Sequence, residues 1–297
     1  MSVRSSPLPP VPPVGHVTVM RASRPDFVGV FVEGPSDVSM WRRWLRWEPV
    51  NTGGKGPVLT AIADLLQRRI PGCVGIIDAD LDHLEGRVHP PGIVLSEGHD
   101  REGDLARSPA LDELVAASAG PAAVSRLIGT GATLRGALVE RALPFGLLRW
   151  RCHEHGIEFP AGRLSPFRFV DKNSWGFDEN ALYDEAALTL AIRRDELDND
   201  LSSRRARLPD AWHVCNGHDL VAILTIALQH GLGLRKRYPT EESVDAALSL
   251  ALDSTHLAGF PMWRNLGAWE MLNRPFEIRK CPRGRGQGGD GEQLCAP

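Results

Sequence analysis

The feature that most constrains this chain is a short apolar run that ends in a carboxylate and a helix start: Val28-Gly29-Val30-Phe31-Val32-Glu33-Gly34-Pro35-Ser36-Asp37. β-Branched residues bounded by turn signals read as a buried strand, and Pro35 suits the first turn of a following helix. A second run, Cys73-Val74-Gly75-Ile76-Ile77, ends in Asp78-Ala79-Asp80 and then Asp82. In open α/β sheets ligands bind outside the carboxyl ends of parallel strands, so both acidic tips fall where chemistry is expected. Between the strands lies Asn51-Thr52-Gly53-Gly54-Lys55-Gly56-Pro57, which leads into an apolar helical pattern over Val58–Arg69. A third strand is expected at Ile93–Leu95, followed by Ser96-Glu97-Gly98-His99-Asp100-Arg101-Glu102. Strand, helix, short segment, helix, strand, strand is the order of a compact parallel sheet.

The acids are candidate ligands for a hard divalent cation, which prefers oxygen donors. Residues two apart in an extended chain project to one side, so Asp78 and Asp80 are expected to face a cation together. Turn and cap roles account for Asp82 but less well for three acids plus Glu33. A calcium loop is excluded, because its sixth position, a glycine in EF-hands, is His83 and its twelfth, a glutamate, is His89. The aspartate pair of nucleotide-sugar transferases leaves Glu33-Gly34 unexplained. Gly54-Lys55 is not a P-loop, since Gly56-Pro57 follows the lysine where Ser or Thr is required. Lys55 is instead expected to touch a substrate phosphate at a helix start. Glu97 and Glu102 are candidates for a second metal.

The 297 residues carry a formal net charge of -3, and 42% of them are hydrophobic, enough for one large or two modest cores. No run of about 18 apolar residues marks a membrane span, and no apolar signal core precedes the first strand, so a cytoplasmic, membrane-free setting is expected. The five cysteines are scattered without Cys-x-x-Cys pairs and read as reduced thiols. Cys152-His153-Glu154-His155 is a poor metal cluster, because neighbouring residues on a helix point in different directions.

Residues 1–20, with Pro7, Pro9, Pro10, Pro12 and Pro13, are expected to form a flexible arm, 21–110 an α/β domain, 111–280 a mainly helical region, and 281–297 a disordered Gly/Arg tail. Helices are expected over Asn180–Asp195, Asp219–His230 and Glu241–Leu252, with a strand at Phe167–Val170. Trp41 and Trp44 read as core packing. His218 and Asp219 read as helix-capping residues.

Phe31-Val32-Glu33-Gly34-Pro35-Ser36-Asp37, Gly54-Lys55, Ile77-Asp78-Ala79-Asp80-Leu81-Asp82, Ser96 to Glu102 and Asn216-Gly217-His218-Asp219 resemble a bacterial TOPRIM-like family. TOPRIM domains are shared by topoisomerases, bacterial primases and OLD-type nucleases. The resemblance covers roughly Phe27–Leu105 and a short block near Gly217. It implies a TOPRIM-like parallel sheet flanked by helices, a catalytic Glu33 that also touches metal, and magnesium, with manganese as a substitute, held by Asp78 and Asp80. It further implies a nuclease acting on DNA or RNA, a phage-defence effector role, and an ABC-type ATPase as partner. Ser96-Glu97 departs from the family's Thr-Asp, and Arg101 stands where an apolar residue is usual. The competing expectation is a non-catalytic metal- or nucleotide-binding regulator of such an ATPase.

Overall fold

The computed structural model describes residues 12–129 and 132–280. Along the chain the elements are α1 (Pro13–Ser23), β1 (Gly29–Val32), α2 (Pro35–Trp41), β2 (Val50–Asn51), α3 (Lys55–Gln67), β3 (Cys73–Ile77), α4 (Asp82–Glu85) and β4 (Ile93–Leu95). Helices follow: α5 (Arg101–Arg107), α6 (Ala110–Ala116), α7 (Pro121–Ile128), α8 (Leu134–Glu154), α9 (Pro166–Phe169) and α10 (Glu179–Thr189). The last are α11 (Arg194–Arg207), α12 (Gly217–Ile226), α13 (Glu241–Ala251), α14 (Ser254–Leu257) and α15 (Pro261–Leu272). The expected α/β architecture is present: a four-stranded parallel sheet in the N-terminal part, flanked by helices, and a mostly helical C-terminal half.

The chain divides into two compact units, each built from more than one stretch of sequence. The first unit is Met1–Ile77 with His89–Leu95 and Met262–Pro297; the second is Asp78–Val88 with Ser96–Pro261. Local patterns place elements, whereas this interleaving is decided by contacts distant in sequence.

In the first unit the strand order is β2-β1-β3-β4, all parallel. Val32 pairs with Ile76 and Ile77 with Leu95, so β1, β3 and β4 end level with one another. β1 is buried along its length, as its continuous apolar run requires. α3 packs on β1 and β3 through Val58, Ala61, Ile62 and Leu65, the spacing of one helix face. β2 extends the sheet by two residues only.

The flexible arm expected over residues 1–20 gives way to α1 from Pro13 onward. Pro13 occupies the first helical turn, where its missing N–H costs nothing, and the proline-free stretch after it buries Val17 completely. Residues 1–11 lie outside the described residues, as do 281–297, the expected tail.

The second unit is built on α12, whose residues are buried almost all round and which packs on α5, α8, α9 and α13. Its core joins Phe145, Leu148 and Trp150 of α8 to Leu182 and Ala186 of α10 and to Leu197 and Leu201 of α11. Phe167–Val170 is not a strand. Pro166 opens a single helical turn there, and Val170 makes only an isolated bridge to Phe177. No helix among the described residues is long and apolar enough to cross a membrane.

Candidate functional site

In the first unit, β1 runs into Glu33, which is partly buried. The Glu33 carbonyl accepts hydrogen bonds from Gly53 N (3.2 Å) and Gly54 N (2.8 Å). Those two glycines have φ of +86° and +124°, backbone that side-chain-bearing residues rarely adopt. The glycine turn is therefore docked on the strand tip, and α3 begins at once with Lys55. The structure brings the backbones of Glu33 and Lys55 to the same end of the sheet. Past Gly34, the Asp37 carboxylate accepts from Gly34 N at 2.9 Å and closes the first turn of α2.

In the second unit, Asp78 to Asp80 lies along Ser96 to Arg101. Asp78 Oδ1 accepts from Arg101 N (2.9 Å), Ala79 N donates to Ser96 Oγ (2.8 Å), and Asp80 N donates to the His99 carbonyl (2.6 Å). Asp80 is exposed and has φ +52°, so the extended alternation expected for Asp78 and Asp80 does not continue past Ile77. Aspartate tolerates this left-handed conformation better than most residues, and such outliers concentrate at functional sites. Asp82 is buried, opens α4 and lies 3.5 Å from Arg87.

Among the described residues no group of three or more His, Cys, Asp or Glu side chains is arranged to hold a metal ion. Magnesium seldom needs one. It commonly takes one or two carboxylates and completes its octahedron with water and substrate phosphate. A pair of aspartates at a strand exit, one part-exposed and one exposed, offers the hard oxygen donors that mode requires, so the residues fit the ion.

The two glutamates expected at a second metal have arginine partners of their own. Glu97 is 41% exposed and lies 3.9 Å from Arg107 Nη1. Glu102 is held against Arg101, whose buried guanidinium also meets Asp245 at 3.1 Å. Burial raises the pKa of Glu102, opposed by the neighbouring Arg101 charge.

Three buried groups in this region were not singled out by the sequence. Asp100 caps α5, its Oδ1 accepting from Gly103 N at 2.8 Å, while its Oδ2 accepts from Gly217 N at 2.6 Å and meets His99 Nδ1 at 3.1 Å. Burial alone would raise the Asp100 pKa, but His99 and the two amides outweigh it and hold the carboxyl below its usual range. Burial likewise disfavours charged His99, yet the bond and charge of Asp100, with the field of Asp80, raise the imidazole pKa. Asp104 accepts from Gly98 N (2.7 Å) and Glu97 N (3.0 Å), and burial pushes its pKa up to about 7 against those amides. An aspartate three residues before Gly103, at the head of a helical pattern, is a cap signal for Asp100; nothing local announces its bond to Gly217.

That bond joins the Ser96–Glu102 block to the Asn216–Asp219 block. A Cβ on Gly217 would sit 2.3 Å from Asp100 Oδ1 and 2.5 Å from Glu102 Cβ, so only glycine permits the approach. His218 and Asp219 are not the cap of α12. Asn216 is, its Oδ1 accepting from His218 N at 3.1 Å. Asp219 is buried and receives both Arg149 Nε (2.8 Å) and Nη2 (3.0 Å). His218 is exposed.

A cleft of about 670 Å³, also in the second unit, contains none of these residues; Phe169, Asp178, Glu179, Tyr183, Arg194 and Arg205 are among its walls. Arg194 and Arg205 are already engaged there, by Asp198 and Glu179. No family model matches this chain, and no curated protein matches it in sequence.

Proposed function

We propose that this chain is a magnesium-dependent phosphodiesterase acting on DNA or RNA. The observation that carries the reading is that two hydrogen-bonded parallel strands, β1 and β3, with Val32 opposite Ile76, run directly into Glu33-Gly34 and Asp78-Ala79-Asp80. Acids at two adjacent strand exits are what the TOPRIM resemblance predicts, and strand exits are where open parallel sheets bind ligands.

Asp78 and Asp80 are the carboxylates that would hold magnesium. When bound, the ion lowers the pKa of a coordinated water and neutralises charge on the phosphoryl oxygens. Glu33 accepts the proton of the attacking water as the P–O bond to the leaving group breaks. The water oxygen bonds to phosphorus, the leaving oxygen takes a proton from solvent while Glu33 returns its proton to solvent, and the products are a phosphomonoester and an alcohol. Lys55, at the first turn of α3, supplies an ammonium to a non-bridging phosphate oxygen.

Calorimetric titration with magnesium tests the ligand assignment. Asp78→Asn and Asp80→Asn remove charge while keeping side-chain shape, and each is expected to weaken binding; Glu33→Gln is expected to retain most of it. Parent-like affinity in both Asn variants would remove these aspartates from the site.

A further inference from the structure

The segment Trp41-Arg42-Arg43-Trp44-Leu45-Arg46-Trp47, at the end of α2 in the first unit, separates its residues by chemistry. Trp41, Leu45 and Trp47 are buried, whereas Arg42, Arg43 and Arg46 are exposed. Trp41 and Trp47 thus anchor the turn, Trp44 is half-buried, and the arginines face solvent. Arg43 lies over the Trp44 ring, 4.9 Å from its centroid, which directs the guanidinium.

The end of the described chain returns to this turn. Arg46 N donates to the Ile278 carbonyl (2.8 Å), Lys280 N to the Trp44 carbonyl (2.8 Å), and Trp47 Nε1 to the Glu277 carbonyl (3.0 Å). Lys280 Nζ donates to the carbonyls of Arg42 (2.8 Å) and Arg43 (3.3 Å), adding its charge to theirs. Arg24 lies 5.9 Å from the Trp47 ring centroid. The acids in and beside these segments are Glu277, paired with Arg46, Glu270, which holds Arg279 at 2.7 Å, and the exposed Glu48 and Asp26. With Arg279 and its partner Glu270 counted, six cations against four acids make a locally positive face on a chain whose formal net charge is -3.

We propose that this face, formed by Arg24, Arg42, Arg43, Arg46 and Lys280, binds the phosphate backbone of nucleic acid. It rests on the nucleic-acid reading above, and it holds nucleic acid at the amino end of β1, where Trp47 packs on Phe27, rather than at the strand exits. Exposed guanidiniums on a rigid turn suit phosphate oxygens, which position a nucleic acid without reading its sequence. Trp41 and Trp47 serve as anchors here rather than as stacking platforms, so binding is sequence-tolerant and strongly salt-dependent. The 670 Å³ cleft of the second unit is unsuited to this partner, because Asp171, Asp178, Glu179 and Asp198 in its walls outnumber Arg194 and Arg205.

The test is fluorescence-anisotropy binding of a labelled single-stranded oligonucleotide over a salt series, in EDTA, so that no cleavage contributes. Arg42→Glu/Arg43→Glu is expected to lower affinity at least about tenfold at low salt, and Arg42→Gln/Arg43→Gln to reduce the log–log salt slope by about 1.4. Arg126→Glu/Arg163→Glu makes the same change in net charge at exposed positions elsewhere and is expected to have a much smaller effect. Unaltered melting temperatures establish that the variants are folded, and the Gln pair serves if the Glu pair is not. Parent-like affinity and slope in the Arg42/Arg43 variants, equal weakening in the control, or no binding by the parent would each overturn the proposal. So would parent binding to phosphatidylserine vesicles without binding to the oligonucleotide. Failure of this binding leaves the hydrolysis reading standing, since that is measured separately with magnesium present.

Discussion

Replacing Gly217 with alanine probes the tie between the two sequence blocks of the second unit. Alanine is the better helix former, by up to about 1 kcal/mol in a helix interior and less at a first turn. Against that, its Cβ would meet Asp100 Oδ1 at 2.3 Å, Asp100 Cγ at 2.8 Å and Glu102 Cβ at 2.5 Å. Asp100 cannot swing aside cheaply, because it is buried and held by Gly103 N, Gly217 N and His99. Overpacking costs about 1–3 kcal/mol, and losing one hydrogen bond to a buried carboxylate costs about 1.5–3 kcal/mol. The clash wins, and Gly217→Ala is expected to destabilise by about 3 kcal/mol, read as a lower urea midpoint at unchanged m. In an Asp100→Ala background the cost of the same substitution should fall by at least about 1 kcal/mol, since much of the clash is gone. A Gly217→Ala protein within about 0.5 kcal/mol of the parent would refute the reasoning.

Three further outcomes follow from particular contacts. Asp104, with its folded pKa near 7, holds a proton that the unfolded chain releases near pH 4, so folding takes up a proton between those values. Stability measured by urea unfolding in EDTA should therefore fall as pH rises from about 4 to 7, by on the order of 4 kcal/mol from this group. His99, with its raised pKa, acts in the same direction, its contribution being lost as pH rises through its folded value. Asp104→Asn should flatten this slope, and an unchanged slope would count against the assignment. Asp219→Ala, which leaves partly buried Arg149 without its two carboxylate bonds, should cost about 3 kcal/mol; exposed His218→Ala should cost less than about 0.5 kcal/mol. Equal effects would contradict their different placements. Val17→Ala should lower stability by about 2 kcal/mol, because both lost methyl groups are fully buried, and a parent-like melting temperature would show that α1 is not docked.

The strands were legible wherever β-branched residues formed a run bounded by turn signals: β1, β3 and β4 fall where the sequence places them. β2 was not, because two residues cannot display a period. The proline cluster hid α1, since proline is excluded from helix interiors but welcome at Pro13, the first turn. Phe167-Arg168-Phe169 alternates as a strand does, yet Pro166 and the local backbone make a helical turn of it. α11 carries little apolar signal; Leu197 and Leu201, one turn apart, with the buried part of Arg204, are its whole inward face. At the candidate site, acids at strand exits could be read locally. The Asp100–Gly217 bond spans 117 positions and could not. Nor could the arginines that lie beside Glu97 and Glu102, or the left-handed turn at Asp80.

The most direct measurement is single-turnover cleavage of a mixed DNA and RNA pool by the purified chain, with magnesium and with EDTA, for the parent, Asp78→Asn, Asp80→Asn and Glu33→Gln. The account predicts magnesium-dependent cleavage by the parent, loss in both Asn variants, and a loss of roughly a hundredfold or more in Glu33→Gln despite retained metal binding. A parent that cleaves nothing with magnesium, or three variants that cleave as the parent does, would contradict it.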